Sequence, residues 1–118
     1  MDYSQLSDAE IAQKVWFWWN QNIEHDNTLC GMSGGKMLYV KNNVWTAFDP
    51  CNNPADAWPI IVSNQISLMY EEATGKWCTG KPYWVDGCEW QLDIDVMEAN
   101  PLRAAMVFFL MMQDAKHA

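Results

Sequence analysis

The sequence has little positive charge. It contains 7 lysine and arginine residues against 15 aspartate and glutamate residues, a formal net charge of −8 at pH 7 over 118 residues. Such a chain repels the phosphate backbone, so nonspecific DNA binding is disfavoured. Charged residues make up only 19% of the chain and hydrophobic residues 50%. This composition excludes disorder of the whole chain and predicts a folded protein with one hydrophobic core.

Long apolar runs are missing too. The longest uninterrupted stretch, residues 104–112, has nine residues, whereas a membrane-spanning helix needs about 17 to 25. The first residues are acidic where a secretory signal would be basic, and no apolar segment with a cleavage site follows them. We therefore predict a protein of the cytoplasm that does not interact with membranes.

Cysteines at chelating distance are also lacking. Cys30, Cys51, Cys78 and Cys88 are separated by ten or more positions, so no CxxC pair is available to hold a metal or exchange disulfides. One of the two histidines, His25, lies in a polar segment and the other stands next to the last residue. We predict reduced thiols, no metal, no cofactor and no Cys–His nucleophile.

Two capping signals predict helices in the first half of the chain. Ser7 and Glu10 form a capping box, which starts an amino-terminal helix with one apolar face. Asn53 and Pro54 place a capping side chain before a proline at the first helical position. Pro59 removes a hydrogen bond from this second helix, so we expect it to be short and kinked.

The strongest predicted element is a helix near the end of the chain. Asn100 and Pro101 repeat the capping signal, and residues 102–112 are apolar almost throughout. At 100° per residue these side chains surround the helix axis. We predict that the helix is covered on all sides by the rest of the protein or by a second copy.

Residues 37–48 predict a β-hairpin. Two β-prone runs flank Asn42 and Asn43, which tolerate the positive φ that a tight turn requires. The glycines and asparagines between residues 20 and 36 predict a surface loop before it.

A second hairpin is predicted from residues 66–70 and 76–79, and a further extended piece within residues 83–92. We therefore predict an α+β fold. An antiparallel sheet of hairpins packs against the buried carboxy-terminal helix, with the amino-terminal helix and a short middle helix beside it.

Arg103 is the only arginine and lies one turn inside the most apolar helix. An unpaired buried charge is costly, so we predict an ion pair that joins two elements. Asp56 is the first candidate partner. The other candidates are Asp93, Asp95 and Glu98. An enzyme with a small-ligand site near Asp56, Trp58 and Arg103 is an alternative hypothesis.

Eight tryptophans are many for a chain of this length. Exposed rings can stack on single-stranded nucleic acid, a third hypothesis, but such sites normally lie in a basic groove. Aromatic rings otherwise serve as core or as interface anchors. Phe17, with Trp16 beside it, is the candidate exposed patch, and cover by a sheet or a loop is an equally open alternative.

Three segments, residues 1–11, 50–62 and 100–113, resemble the NinX-like family of lambdoid phages and prophages in residues, order and spacing. The tryptophan-rich stretch after Val15 departs from that pattern. The resemblance implies a single NinX-like domain over residues 1–118. It also implies a small accessory protein from the phage nin region that acts in the host bacterial cytoplasm, and it carries over no catalytic or binding residue.

The sequence therefore favours a noncatalytic accessory protein that binds a host or phage protein, or its own copy. The acidic charge, the lack of a catalytic constellation and the surplus of aromatic residues support this hypothesis. Nucleic acid is not expected as a partner.

Overall fold

The computed structural model describes residues 2–20 and 30–117. The segment between them carries His25 and part of the predicted surface loop, so those two predictions lie outside the described residues. Within the described part, a short 3-10 turn at Tyr3–Gln5 precedes three helices, α1 (Asp8–Trp19), α2 (Pro54–Ser63) and α3 (Pro101–Lys116). Six strands complete it: β1 (Cys30–Ser33), β2 (Lys36–Lys41), β3 (Val44–Ala47), β4 (Ser67–Glu71), β5 (Lys76–Val85) and β6 (Glu89–Glu98).

Each helix begins where its capping residue predicts. The Ser7 hydroxyl accepts from the Glu10 amide at 3.1 Å, and the Glu10 carboxylate accepts from the Ser7 amide at 3.0 Å. The side chains of Asn53 and Asn100 accept from backbone amides in the first turns of α2 and α3. Helix α2 continues through Pro59 for ten residues.

The first sheet has the strand order β1-β2-β3 and is antiparallel. The turn between β2 and β3 places Asn42 at φ 52° and Asn43 at φ 64°, as the hairpin prediction requires. The surface-loop prediction was wrong for residues 30–33, which form β1 and pair with β2 around the positive-φ glycines Gly34 and Gly35. Those four residues have no strong β pattern of their own, so their conformation depends on the partner strand.

The second sheet has the order β4-β5-β6 and is also antiparallel. The β4–β5 hairpin confirms the second predicted hairpin. The extended piece predicted within residues 83–92 consists of the ends of β5 and β6 and the turn between them, with Gly87 at φ 74°. The strands therefore form two three-stranded sheets instead of one.

Helix α3 is the centre of the core, as predicted. All residues from 104 to 110 are buried, including Val107 and Phe108. Helices α1 and α2 and the second sheet pack against α3, and the first sheet packs against α1. None of the helices in residues 2–20 and 30–117 combines the length and the apolarity needed to cross a membrane.

Candidate functional site

Arg103 joins α3 to the start of the chain. Its Nη1 donates to Asp8 Oδ1 at 2.7 Å and its Nε donates to Glu98 Oε1 at 3.3 Å. Its Nη2 donates to the carbonyl oxygens of Leu6, Tyr3 and Ser4. The side chain is only 13% exposed. Five acceptors around one partly buried guanidinium are typical of a structural ion pair that fixes chain segments together.

The first-choice partner for Arg103 was wrong. Asp56 Oδ2 instead accepts from the Asp49 amide at 2.9 Å and from Asn53 Nδ2 at 3.3 Å, so it stabilises the start of α2. Of the other candidates only Glu98 pairs with Arg103. Asp8, which was not among the candidates, provides the shorter ion pair because the capping box places it at the first position of α1.

The charges of this ion pair reinforce each other. Burial alone would raise the pKa of Asp8, but hydrogen bonds from Asn52 and Arg103 hold it below its ordinary value. Burial alone would lower the pKa of Arg103, but the hydrogen bond to Asp8 and the charge of Glu98 raise it. Both groups are therefore stabilised in their charged forms.

The residues of the alternative enzyme hypothesis lie in separate environments. No hydrogen bond, ion pair or ring contact joins Asp56, Trp58 and Arg103 in residues 2–20 and 30–117. Trp58 is 62% exposed on α2, and the carboxylate of Asp56 and the guanidinium of Arg103 are engaged as described above. Nor does the described part of the chain place three or more His, Cys, Asp or Glu side chains where they could hold a metal ion.

Trp16 and Phe17 point in different directions. Trp16 is 7% exposed and stacks on Tyr39 with ring centroids 4.5 Å apart, while the edge of Phe48 packs against it. Phe17 is 60% exposed, contacts Trp18 and lines an open cleft of about 440 Å³ between α1 and α3. The candidate patch thus divides into a core residue and an exposed one.

Sequence reasoning missed a larger apolar surface on the second sheet. One face of this sheet, with Leu68, Thr79 and Val96 aligned across the three strands, packs against α3. On the opposite face Met69, Cys78 and Met97 are aligned, and Met69 and Met97 are exposed.

This opposite face continues along the β5–β6 hairpin, because alternate residues of a strand lie on the same face. The pairs Gly80–Ile94, Pro82–Leu92 and Trp84–Trp90 extend it towards the turn. We call this surface the outer face, and its exposed or half-exposed side chains are Met69, Pro82, Trp84, Trp90, Leu92, Ile94 and Met97.

Beyond Gly80 the hairpin has only two strands, because β4 ends its pairing there. We call residues 81–94 the arm. Its other face is polar: Lys81 opposes Asp93, and the Tyr83 hydroxyl donates to Gln91 Oε1 at 2.9 Å. The arm therefore has one apolar face and one polar face, and solvent reaches both.

A β-bulge separates the arm from the buried base of the hairpin. Thr79 pairs with Val96 and Gly80 pairs with Ile94, which leaves Asp95 unpaired. A Cβ atom at Gly80 would lie 1.8 Å from the carbonyl oxygen of Asp93. Only glycine permits this close approach of the two strands.

The two tryptophans of the arm form a cross-strand pair. Trp84 is 51% exposed and Trp90 is 69% exposed, and their rings meet edge to face with centroids 5.5 Å apart. The alternation of apolar residues at 90, 92, 94 and 96 with polar ones between them is a period-two signal that could have predicted the strand. It would also have predicted that all four residues share one buried face, whereas the bulge at Asp95 places Val96 on the buried face and the other three on the outer face.

Together these features define a small α+β protein whose ion pairs join α3 to α1 and β6 while an apolar sheet face meets the solvent. The sequence model of the family Bacteriophage P22, NinX matches residues 2–113, and the chain belongs to that family. It is therefore a phage accessory protein. No curated protein and no solved structure matches the chain.

Proposed function

We propose that this protein is a noncatalytic module that binds another protein in the cytoplasm of the host bacterium, through the outer face of its second sheet. The observation that carries the proposal is the exposure of Trp84 and Trp90 as one cross-strand pair at the turn end of an apolar face. Tryptophan is among the residues that contribute most to binding energy at protein interfaces.

The size of the outer face supports this role. The two indoles alone expose on the order of 300 Å², which is already as large as the biggest apolar patch of many monomeric proteins. Ile94, Met69 and Met97 enlarge the same surface, each about 40% exposed. Contiguous apolar surface of this extent is typical of an interaction site, since its exposure costs free energy until a partner covers it.

The competing hypotheses have less support. An enzyme near Asp56, Trp58 and Arg103 would need reactive groups that converge, but Asp56 and Arg103 are held by their structural partners. A single-stranded nucleic-acid site would need rings beside cationic side chains. The arm that carries the exposed rings instead has three carboxylates, Asp86, Glu89 and Asp93, against one lysine, Lys81.

Quantitative affinity capture from lysate of infected host cells tests the proposal. The wild type is compared with a Trp84→Ser/Trp90→Ser variant and with the control variant Trp58→Ser, which removes an equally exposed ring from α2. We expect one or more proteins to be captured by the wild type and the control and lost with the double variant. Equal capture by all three chains would contradict the proposal.

A further inference from the structure

We infer that the outer face binds a cationic polypeptide segment with apolar side chains at its centre, and that this segment lies across the face without adding a strand to the arm. This inference rests on the proposed function and specifies the chemistry of the partner. Three features of the second sheet carry it: the charges around the face, the state of the two strand edges and the tryptophan pair.

The charges around the face are negative and unpaired. Four exposed carboxylates lie on the arm and at its bulge, against one lysine, Lys81. Asp86 is in the turn and Asp95 is at the bulge, while Glu89 and Asp93 are on the polar face directly behind the outer face. Within the described residues, ion pairs at 4.0 Å or less involve Arg103 alone, so none neutralises these four carboxylates. An apolar face on an arm with this excess of negative charge is complementary to an apolar segment flanked by lysine or arginine.

The same charges argue against a second copy as the occupant. In a twofold dimer each patch faces its own equivalent, so the carboxylates of one arm would face those of the other. Like charges brought together in an interface are unfavourable and also slow the encounter of the two chains. The excess of negative charge in the whole chain adds to this repulsion.

The two strand edges of the arm are poorly suited to strand addition. Past Gly80 the free edge of β5 contains Pro82, which has no N–H to donate to an incoming strand. The free edge of β6 carries carboxylates and the bulge at Asp95. Proline, charge and bulges are the features by which natural sheets block edge pairing. The outer face, in contrast, presents the tryptophan pair without such protection.

Selection from a displayed library of random linear peptides tests this inference on the full chain. We expect the wild type to enrich peptides that combine lysine or arginine with aromatic or aliphatic residues. A synthetic peptide from that pool should bind the Trp84→Ser/Trp90→Ser variant at least about tenfold more weakly. Its affinity for Trp58→Ser should be unchanged. An Asp93→Asn/Asp95→Asn variant should lose several-fold in affinity, mainly through slower association, and added salt should reduce that difference.

The outcomes separate this inference from the proposed function. Enriched peptides without a charge bias that still require the tryptophan pair would overturn the cationic partner and leave the proposed function standing. Peptides that bind the wild type and the tryptophan variant equally would overturn both. A dimer in sedimentation equilibrium that the tryptophan variant abolishes would overturn the inference, since it assigns the face to a second copy. Circular dichroism and the unfolding midpoint establish that each variant is folded.

Discussion

The two ends of the β5–β6 hairpin have opposite environments although they belong to the same pair of strands. At the base Thr79 and Val96 are buried on the face that packs against α3, whereas Trp84 and Trp90 on the arm are more than half exposed. The difference does not follow from hydrophobicity, since the arm carries the larger aromatic side chains. It arises because α3 and β4 pack on the base, while the arm extends past β4.

Carboxylates at the two ends differ in the same way. Glu98 at the base of β6 is paired with Arg103, and that ion pair also includes Asp8. The carboxylates of the arm have no such partner among the described residues. The base therefore uses its apolar and charged groups for stability, and under our proposal the arm keeps the same kinds of groups available for binding.

The largest expected effect is the loss of stability when a core ring is removed, compared with the loss when a ring of the arm is removed. Phe109→Ala removes a buried ring from α3 and should lower the free energy of unfolding by about 4 kcal/mol. Trp90→Ala removes a ring that is 69% exposed and should cost less than about 1 kcal/mol. Urea denaturation measures both. Similar losses for the two variants would mean that the arm is part of the cooperative core.

Removing the positive charge of Arg103, which pairs with Glu98 at the base of β6, should have the next largest effect on stability. Arg103→Met leaves Asp8 and Glu98 without a cation and removes the Nη2 donor from the carbonyl oxygens of three residues, so we expect a loss of about 2 to 3 kcal/mol. Lys81→Met on the arm is the matched control and should change stability by less than about 0.5 kcal/mol.

Double-mutant cycles identify the partner of Arg103. Arg103→Met combined with Asp8→Asn should show a coupling of about 1 kcal/mol, because the two side chains are in contact. The cycle with Asp56→Ala should show none, since Asp56 bonds to Asp49 and Asn53. Coupling of Arg103 to Asp56 in place of Asp8 would contradict the observed ion pair between Arg103 and Asp8.

Thr79→Val should stabilise the base by about 1 kcal/mol. The Thr79 hydroxyl is fully buried and finds no hydrogen-bond partner among the described residues, and valine has the same shape without that unsatisfied group. Thr74→Val, in the exposed turn between β4 and β5, should give no gain. The midpoint of thermal unfolding measures both variants, and a loss of stability at position 79 would reveal a partner for the hydroxyl.

The smallest expected effect is on the pH dependence of the free energy of unfolding in acid. The pKa of Asp8 is lowered in the folded protein, so its contribution to stability is present above its unfolded pKa near 3.8. That contribution is lost as the pH falls through the lower folded value. Asp8→Asn should therefore reduce the slope of stability against pH below about pH 4. An unchanged slope in Asp8→Asn, measured by the same acid titration, would contradict this contribution.

Features that depend on neighbouring residues were predicted well from the sequence. The capping residues Ser7, Asn53 and Asn100 mark the helix starts because their bonds reach only two or three residues along the chain. Asn42 and Asn43 mark the first hairpin for a similar reason, since the positive φ of a tight turn is a local property. Strand β1 was missed because its pairing with β2, and not its own residues, makes it a strand.

Features that join distant parts of the chain were predicted less well. Arg103 was correctly expected to need a carboxylate, because a buried charge must be compensated wherever it lies. Which carboxylate serves depended on how α1 and α3 dock, and Asp8 is 95 positions away. The cleft beside Phe17 likewise exists only because α1 and α3 meet.

The sequence by itself determined where the helices begin, where the first hairpin turns and that α3 is buried. These depend on short-range hydrogen bonds, on local φ preferences and on the excess of apolar side chains around one axis. Tertiary structure alone decided which apolar residues remain exposed. The alternation at residues 90–94 describes a strand with one apolar face, but the exposure of that face depends on whether another element packs on it.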